Sequence, residues 1–396
     1  MLIVPLEQAE PGMRLAVAVT HPDNPTQELL RRNYVLERSV IDRLRDLGID
    51  QIYVDYPGLE DLDKHLAPNL SPERQELYNR MKSTISDVQR DASPSIDYWD
   101  YHLATREFVT TLLTNGRNPI YLDQLSTGLG GSGVAHAMAV GHLAMVMGIR
   151  MERYLIRQRH RLKTAHAREV VNLGVAGMLH DLGKTRLAPE LQPKHELSPH
   201  DNDRARADWQ AHAWHGYELV RDDVKPTAAA AVLNHHQHFD GSGFPTSDAQ
   251  GQPIDPQEEQ EIHVYARILF AADLYERLAT PPDGKGPRRS NLEILHLMRQ
   301  RYADWLDPEV LAALPRVVPP FPPGGKVTLS DGRVAVVMAI DPESPYRPVV
   351  RPLAADGKTL APETVCLTKR PELTIIEAAG IPVGDKTPPR PKASAA

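Results

Sequence analysis

The chain has 396 residues, 24% charged and 41% hydrophobic, a balance typical of a soluble globular protein with room for two or three domains. Its net charge of −7 argues against DNA or RNA binding, which depends on neutralising phosphates with basic side chains. The single cysteine, Cys366, excludes an internal disulfide framework, and the lack of a long apolar run or a signal-peptide pattern predicts a cytoplasmic protein without a membrane span.

The N-terminal part, residues 1–65, is predicted to form a small α/β domain. Residues 15–19 and 51–55 are rich in apolar and β-branched side chains and predict strands. Residues 39–47 carry apolar side chains at helical spacing and are followed by Gly48, a common helix stop.

A helical connector is predicted at residues 66–128. Ser71 precedes a proline and Ser95 precedes a second helical pattern, so each is predicted to cap a helix. Residues 129–315 have an almost entirely helical pattern and predict the largest domain. Its helices are predicted at 134–147, 152–180, 204–220, 227–236, 262–278 and 292–302.

After a proline-rich stretch the pattern changes to short β-branched segments, which predict a small β domain at residues 316–382. Residues 383–396 are rich in proline, lysine and alanine and are predicted to be disordered. The fold class expected is therefore multidomain and mainly α, with a small α/β domain before the helices and a small β domain after them. The strands of the β domain are predicted at 326–329, 334–340, 348–353 and 373–376.

The histidines of this chain point to a metal site. His180 and Asp181 are adjacent, both are of metal-ligand type, and Gly183 and Lys184 follow them. A lone His-Asp pair is common by chance and carries little weight. A second string, residues 235–245, starts with two histidines at the end of an apolar helix and continues into a glycine-rich turn. The alternative for that string by itself is a surface loop with solvated histidines.

Together, and in this order, the two strings resemble the signatures of the HD-GYP family, a branch of the HD phosphohydrolases. The family patterns are His-Asp-x-Gly-Lys and His-His-Glu-x-x-Asp-Gly-x-Gly-Tyr-Pro. This chain has HDLGK from His180 and HHQHFDGSGFP from His235, and the resemblance extends from residue 134 to Asp273. It implies an HD-type helical bundle that hydrolyses cyclic di-GMP at a centre of two or three metal ions, usually iron or manganese.

The resemblance implies further ligands on both sides of these strings. His136, with valine four residues later, matches the family's early histidine, and His212, with glycine four residues later, matches its middle one. Asp273 follows an apolar run on a predicted helix, where a carboxylate is costly to bury unless it is paired or bound to a metal. The implied ligand set is His136, His180, Asp181, His212, His235, His236 and Asp273.

Five histidines and two carboxylates are too many for one ion, so we expect two divalent ions, iron or manganese first and zinc as the alternative. Asp181 is the natural bridge because a carboxylate has two oxygens. Some family members have a glutamate four residues before the early histidine, where this chain has Ser132, which favours two ions over three. Phe244 and Gln237 replace the signature tyrosine and glutamate. The segment Tyr275-Glu276-Arg277-Leu278 follows the last aspartate, where the family usually has Tyr-Asp-Ala.

The function expected from the resemblance is hydrolysis of cyclic di-GMP to pGpG, GMP or both, with Asp181 and Lys184 as catalytic residues. A cyclic di-GMP receptor with weak or no hydrolysis is the first rival, which the altered substrate loop and Arg277 favour. An HD hydrolase for a different phosphoester and a purely structural module are the second and third. The implied substrate-binding residues are Lys184, Asp240, Gly241, Gly243, Phe244, Pro245 and Arg267.

The two ends of the chain carry different information. Residues 1–58, with Pro11-Gly12-Met13, resemble the small domain that often precedes HD-GYP domains in bacteria. The C-terminal β domain resembles no family by its pattern. We expect these terminal domains to contact partners, either a second copy of the chain or another signalling protein.

Overall fold

The computed structural model confirms a mainly helical chain with a small α/β unit before the helices and a β-sheet unit after them. Its element order follows the predicted order of domains. The residues that the structure describes are 1–21, 24–63, 72–91, 95–114, 133–191, 207–248, 250–255, 257–279, 288–354 and 359–388. Ser132, the predicted third-metal position, lies outside them.

The N-terminal unit contains two small antiparallel pairs and one amphipathic helix. The first strand pairs with the fourth, Leu2 opposite Val54, and the helix buries Ile41 and Leu44 against them. In the predicted strand at 15–19, Leu15 forms only an isolated bridge. Regular strand pairing begins at Val19. The elements are β1 (Leu2–Pro5), β2 (Val19–His21), β3 (Asn24–Leu30), α1 (Arg38–Asp46), β4 (Gln51–Val54) and α2 (Glu60–Asp63).

The predicted connector contains α3 (Pro72–Arg90) and α4 (Tyr98–Thr114). Asp97, not Ser95, accepts a hydrogen bond from a backbone N–H of the first turn of α4, that of Asp100, at 3.1 Å. Side chains of both helices belong to the same hydrophobic core as the large helical domain. The connector is therefore part of the helical body and not a separate spacer.

The helical domain continues from residue 133 to residue 317. The predicted helix 152–180 is wrong as a continuous element, because the chain breaks twice into three short helices. Arg159 fixes these breaks by donating to the carbonyls of Ala167 and Glu169 at 2.9 and 3.3 Å. The elements are α5 (Gly133–Arg150), α6 (Glu152–Gln158), α7 (Thr164–Ala167), α8 (Val171–Leu179), α9 (Ala207–Val220), α10 (Pro226–Leu233), α11 (Val264–Ala279), α12 (Asn291–Arg301) and α13 (Pro308–Val317).

The last of these helices, α13, was not predicted. Its N-cap is Asp307, whose carboxylate accepts hydrogen bonds from the backbone of Glu309 and Val310. Pro308 occupies the first turn, where its missing N–H costs nothing. This Asp-Pro pair is a standard helix start that was present in the sequence.

Helices α5 and α8 touch backbone to backbone. A Cβ atom added to Gly177 of α8 would lie 2.6 Å from the Cα of Gly141 in α5, which no real contact allows. The glycines therefore let two metal-site segments approach closely, and the rings of His136 and His180 end with centroids 5.2 Å apart. Helix α5 is long and apolar enough to cross a membrane by composition, but 72% of that window is buried inside the structure, as in a core helix.

The C-terminal unit is a six-stranded antiparallel sheet in the order β10-β9-β5-β6-β7-β8. Two of its strands, β8 and β10, are only two residues long and were not predicted. Val383, the first residue of the predicted disordered tail, is 2% exposed in the core of this sheet, and residues 389–396 lie outside the described part. The strands are β5 (Lys326–Leu329), β6 (Val334–Ala339), β7 (Val349–Pro352), β8 (Val365–Cys366), β9 (Ile375–Ala378) and β10 (Ile381–Pro382).

The two terminal units pack against each other. Side chains alternate along β6, so that Val337 faces the core of the sheet's own unit and Val336 enters the core of the N-terminal unit. The backbone N–H of Ile3 donates to the carbonyl of Gly324 at 2.9 Å. The first and last parts of the chain therefore form one packed assembly, which we call the terminal body (residues 1–63 and 324–388).

Candidate metal centre

The structure brings the predicted ligands together from five segments. His136 is on α5, His212 is on α9 and Asp273 is on α11, whereas the two His-containing pairs follow the ends of α8 and α10. Six of these residues fall into two groups that could each hold a metal ion and that share Asp181. The groups are His136, His180 and Asp181, and Asp181, His212, His235 and His236.

Asp181 presents one oxygen to each group. Its Oδ2 lies 3.5 Å from Nε2 of His136 and 3.3 Å from Nε2 of His180. Its Oδ1 lies 3.7 Å from Nε2 of His212 and 3.8 Å from Nε2 of His235. A carboxylate placed in this way can bridge two ions, which is the arrangement predicted for it.

Asp273 completes the first group. Its Oδ1 lies 3.1 Å from Nε2 of His136 and 3.7 Å from Nε2 of His180. The carboxylate is almost fully buried, at 1% exposure. Each group then has four side chains once Asp181 is counted in both, which suits two mixed nitrogen and oxygen sites.

Backbone carbonyls set the tautomer of three histidines. In His180, His212 and His235, Nδ1 lies 2.8, 2.7 and 2.6 Å from the carbonyl oxygen three residues earlier. An Nδ1–H that donates to a carbonyl leaves Nε2 with its lone pair directed at the centre. The helix ends therefore orient the rings before any ion binds.

Several buried polar atoms at the centre have no hydrogen-bond partner within the described part of the chain. They include both ring nitrogens of His236 and Oδ1 of Asp181. A buried polar group without a partner is costly, and such groups in native proteins usually have a ligand. The donor set is nitrogen and oxygen without thiolate, so these residues fit iron, manganese or zinc.

Burial and nearby charges keep most of the predicted metal ligands in the protonation state that binds a cation. Burial lowers the pKa of His212 and His236 well below the usual histidine range, so both rings are neutral. Burial raises the pKa of Asp181, but the charges of His180 and Lys184 outweigh it and hold that pKa well below its usual value. The pKa of His180 is the exception: burial lowers it, and Asp181 with Asp273 raises it to about 10. An incoming cation would therefore displace a proton from His180.

Two signature glycines are explained by close backbone contact. A Cβ on Gly183 would lie 2.0 Å from the carbonyl oxygen of His212, so only glycine lets the turn after Asp181 pack on α9. A Cβ on Gly243 would lie 2.3 Å from the carbonyl oxygen of His236. Both glycines therefore allow close backbone packing at the centre.

The structure adds two residues that the sequence analysis did not place in the site. The ring of Trp209 lies 4.5 Å from that of His212, and its centroid lies 5.4 Å from Nζ of Lys184 and 5.8 Å from the guanidinium carbon of Arg277. Arg277 also donates to Oδ2 of Asp273 at 3.3 Å. Trp209 three residues before a ligand and Arg277 four residues after one are on the ligand-bearing faces of their helices, which was the available signal.

The residues predicted for substrate binding lie partly at the metal centre and partly on the glycine turn. Lys184 is at the centre, with Nζ 2.6 Å from Oδ2 of Asp181. Phe244 is 2% exposed and stacks on His236 with centroids 4.5 Å apart, so it packs against the ring of a predicted metal ligand. Asp240 is exposed at the start of the glycine turn, where it accepts hydrogen bonds from Ser242.

The other three predicted loop residues shape the turn. Gly241 has a φ of 76°, which favours glycine, and Gly243 makes the close contact described above. The carbonyl of Pro245 accepts a hydrogen bond from the side chain of Gln237 at 2.8 Å. Gln237, which replaces the signature glutamate, therefore holds the loop in place.

Arg267 requires a correction. Its guanidinium is buried at 3% exposure and donates to Asp307 at 2.6 Å, to Gln158 at 2.8 Å and to the hydroxyl of Tyr154. Asp273 is six positions further along, which places the two side chains on different faces of α11. Arg267 joins α6 and α13 to α11 in the helical core and does not line the substrate loop.

Two family models match separate parts of the chain. The family model described as "HD domain" matches residues 149–310, and that described as "KOW domain associated with HD domain" matches residues 326–380. The second match assigns the β unit, which the pattern alone did not. The chain is 28% identical over 199 residues to the cyclic di-GMP phosphodiesterase PA4108 of Pseudomonas aeruginosa. That alignment covers 48% of this chain and 44% of the relative, so it spans less than half of either.

Among solved structures, the chain is similar to Bd1817, an HDG"Y"P protein from Bdellovibrio bacteriovorus. The similarity has a TM-score of 0.43 at 15% identity and covers 79% of this chain and 97% of the other. The family match shows an HD domain at residues 149–310, and the similarity to PA4108 and the two ordered signature strings support its place in the HD-GYP branch of that family.

Proposed function

We propose that this protein is a metal-dependent phosphodiesterase that hydrolyses cyclic di-GMP to pGpG, GMP or both. The observation that carries the proposal is the carboxylate of Asp181, which turns one oxygen to each of two buried ligand groups. The activity named for PA4108 supports cyclic di-GMP as the substrate. The proposal concerns the helical domain, where both signature strings lie.

Two divalent ions, held by the two groups that share Asp181, would supply an activated water and would accept charge from the phosphoryl oxygens. Iron or manganese is the first expectation for these ions and zinc the alternative. The protein's part is to fix the ligands in place, as the carbonyl-bound histidines do.

Lys184 has two tasks in this proposal. Its ammonium group holds the bridging carboxylate of Asp181 at 2.6 Å and adds a positive charge beside the place where a phosphate would sit. Fixed charge near developing negative charge is the largest contribution in phosphoryl transfer. The side chain is only 19% exposed, so that charge acts in a partly dry environment.

A buried apolar wall covers one side of the second ligand group. Leu187, Trp209, Ala213 and Phe244 form one buried cluster against the histidines. The wall keeps bulk water away from His236, which strengthens the electrostatic interactions inside. The exposed edge of the glycine turn, including Asp240, then remains for contact with the bases or ribose of a dinucleotide.

The direct test is to purify the protein anaerobically with iron or manganese and to assay cyclic di-GMP hydrolysis. We expect turnover, with about two ions per chain. Asp181→Ala should lose both metal and activity, whereas Asp331→Ala, an aspartate at a β turn far from the centre, should keep both. A fully loaded protein that does not hydrolyse the dinucleotide would refute the enzyme proposal.

A second candidate is a cyclic di-GMP receptor that does not hydrolyse its ligand. The observation that favours it is Arg277, whose buried guanidinium contacts Asp273 where the family usually has a small residue. Such a cation can bind a phosphate without promoting its transfer. Saturable binding of cyclic di-GMP by the metal-loaded protein, with no product formed, would select the receptor.

A further inference from the structure

A cavity lies where three parts of the chain meet. It is bordered by the N-terminal unit, the start of α12 and the β unit, and its volume is about 640 Å³. Small-molecule sites usually have volumes of ~300–1,000 Å³. None of the predicted metal ligands lines it. Much of its wall is apolar, with Leu6, Ile49, Leu292 and Phe321 among the lining residues.

Basic side chains outnumber acidic ones around this cavity. The carboxylate of Asp50 accepts the backbone N–H of Arg288 at 2.8 Å, and that of Glu293 accepts hydrogen bonds from Ser290 at the N-cap of α12. These neutral donors do not cancel the two negative charges, so the positive balance of the cavity rests on its larger number of basic side chains. The basic lining residues are Arg45, Arg288, Arg289, Lys326 and Lys386, and the acidic ones are Glu7, Asp50 and Glu293.

Two lysines give the cavity its usable positive charge. Nζ of Lys386 donates to the carbonyl of Pro382 at 2.7 Å, and a neutral carbonyl does not cancel the charge of an ammonium group. Lys326, at the start of β5, lines the same cavity with an exposed side chain. Charge and apolar wall together match a ligand that has an anionic end and a flat or apolar body.

We propose that this cavity binds a small organic phosphate of nucleotide size, with its phosphate near Lys326 and Lys386 and its ring against the apolar wall. The proposal goes beyond the phosphodiesterase function and does not depend on it. It gives the terminal body a ligand of its own, separate from the metal centre.

An ion pair connects the cavity wall to α11, the helix that carries Asp273. Arg288 lines the cavity, and its guanidinium holds both oxygens of Glu276 at 3.2 and 2.8 Å. Glu276 is buried on α11, three residues after Asp273 and next to Arg277. A bound phosphate would therefore lie beside a residue that contacts the ligand-bearing helix.

The test is calorimetric titration of the full-length protein with AMP and, separately, with inorganic phosphate. AMP is a useful probe because it is not a product of the proposed reaction. We expect AMP to bind with a dissociation constant below ~1 mM and more tightly than inorganic phosphate, because only AMP can use the apolar wall. Comparable binding of the two would overturn the proposal, as would no saturable binding of AMP.

Matched variants locate the site. Lys326→Glu with Lys386→Glu should weaken AMP binding at least about tenfold, by reversing the charges that hold the phosphate. Lys82→Glu with Lys369→Glu changes the net charge equally at two exposed lysines outside the cavity and should have no effect. Asp181→Ala should also bind AMP normally. Binding that is lost in Asp181→Ala and retained in the first double variant would place AMP at the metal centre and refute the proposal. Melting temperatures confirm that each variant is folded.

Discussion

Arg277 places a positive charge against one of the buried carboxylates at the candidate metal centre. Its side chain is 1% exposed and its guanidinium contacts the equally buried carboxylate of Asp273. Burial raises the pKa of Asp273, and the charge of Arg277 is the largest influence that lowers it, to well below the usual range. The arginine and a bound cation would thus stabilise the same ionised carboxylate.

A test of this overlap is Arg277→Ala. Without metal, the variant should lose roughly 3 kcal/mol of unfolding free energy, because a buried carboxylate loses its charged partner. With manganese bound, the loss should be smaller, since the cation provides the missing positive charge. Urea unfolding with chelator and with manganese measures both values, and Arg277→Lys, which keeps the charge, is the control. Equal losses in the two conditions would show that the charges act independently.

His263 gives a pH dependence outside the metal centre. Its Nδ1 accepts the backbone N–H of Tyr265 at the start of α11, which requires a neutral ring. Burial, followed by the charges of Arg159 and Arg267, lowers its pKa to about 4. The unfolded chain therefore takes up a proton at a higher pH than the folded chain does, and the stability from this residue is lost as the pH falls from about 6.5 to about 4.

The variant His263→Asn keeps a side-chain acceptor and removes the titration. Between pH 7 and pH 5 the natural protein should lose about 1–2 kcal/mol of unfolding free energy more than the variant does. Denaturant unfolding at the two pH values gives the difference directly, and the titrations of the metal-site histidines are common to both proteins. Parallel losses in the two proteins would contradict the low pKa.

At this scale the motifs and the family resemblance were enough to identify the predicted metal ligands, because those residues lie in short motifs or at a short, fixed spacing from a second marker residue. Trp209 and Arg277 were not assigned to the site, because their role depends on which helices face each other. Arg267 was misassigned for a related reason. It lies on the same helix as Asp273, and only the structure shows that its partners Tyr154 and Asp307 are on another side.

Among the elements, the crossing of α5 and α8 controls the metal centre. Gly177 and Gly141 meet at a backbone contact that leaves no room for a methyl group. His136 is five residues before Gly141 and His180 is three residues after Gly177, so a change in the spacing of the helices moves both ligands. The geometry of the first ligand group therefore depends on two residues that bind nothing.

We predict that Gly177→Ala will lower both stability and metal content. The added methyl group meets backbone atoms, which cannot rotate away, so the helices must separate at a cost of about 1–3 kcal/mol. Gly133→Ala, at the exposed start of α5 with nothing within 4 Å, is the matched control. Manganese content and urea unfolding are the measurements. A Gly177→Ala protein with unchanged metal content would show that the centre tolerates helix separation.

Periodicity predicted the long helices but not their interruptions. Residues 152–180 keep a helical pattern, yet Arg159 binds carbonyls beyond the turn and the hydroxyl of Tyr265 on a distant helix. Such long-range hydrogen bonds cannot be predicted from the periodicity of the sequence. The helix that starts at Pro308 was missed although its local start signal was present.

For the whole molecule, the terminal body is the main feature that the sequence analysis did not predict. Each terminal unit was expected as a separate domain. Val336 belongs to the core of the N-terminal unit, and Arg351 of β7 donates to the carbonyl of Gly58 at 2.9 Å. The alternation of side chains predicts that β6 has two faces. It does not show that one of these faces packs against a unit almost three hundred residues earlier in the chain.

This arrangement predicts a selective effect of Val336→Asp. The carboxylate would be placed in an apolar core at a cost of roughly 3 kcal/mol, which should release the N-terminal unit. Limited proteolysis should then cut within residues 1–63, whereas manganese content should stay unchanged because the helical domain is intact. Val334→Asp is the control, since Val334 is 38% exposed on the same strand. Equal protease resistance of both variants would contradict the shared core.

The shared core also has a consequence for synthesis of the protein on the ribosome. Residues 1–63 leave the ribosome before the helical domain, but their core includes Val336, which is made only after that domain. The N-terminal unit therefore waits, with an incomplete core, while the metal-binding helices fold. Contacts so distant along the chain slow the final step of folding. The order of synthesis thus lets the helical domain form before the terminal body closes.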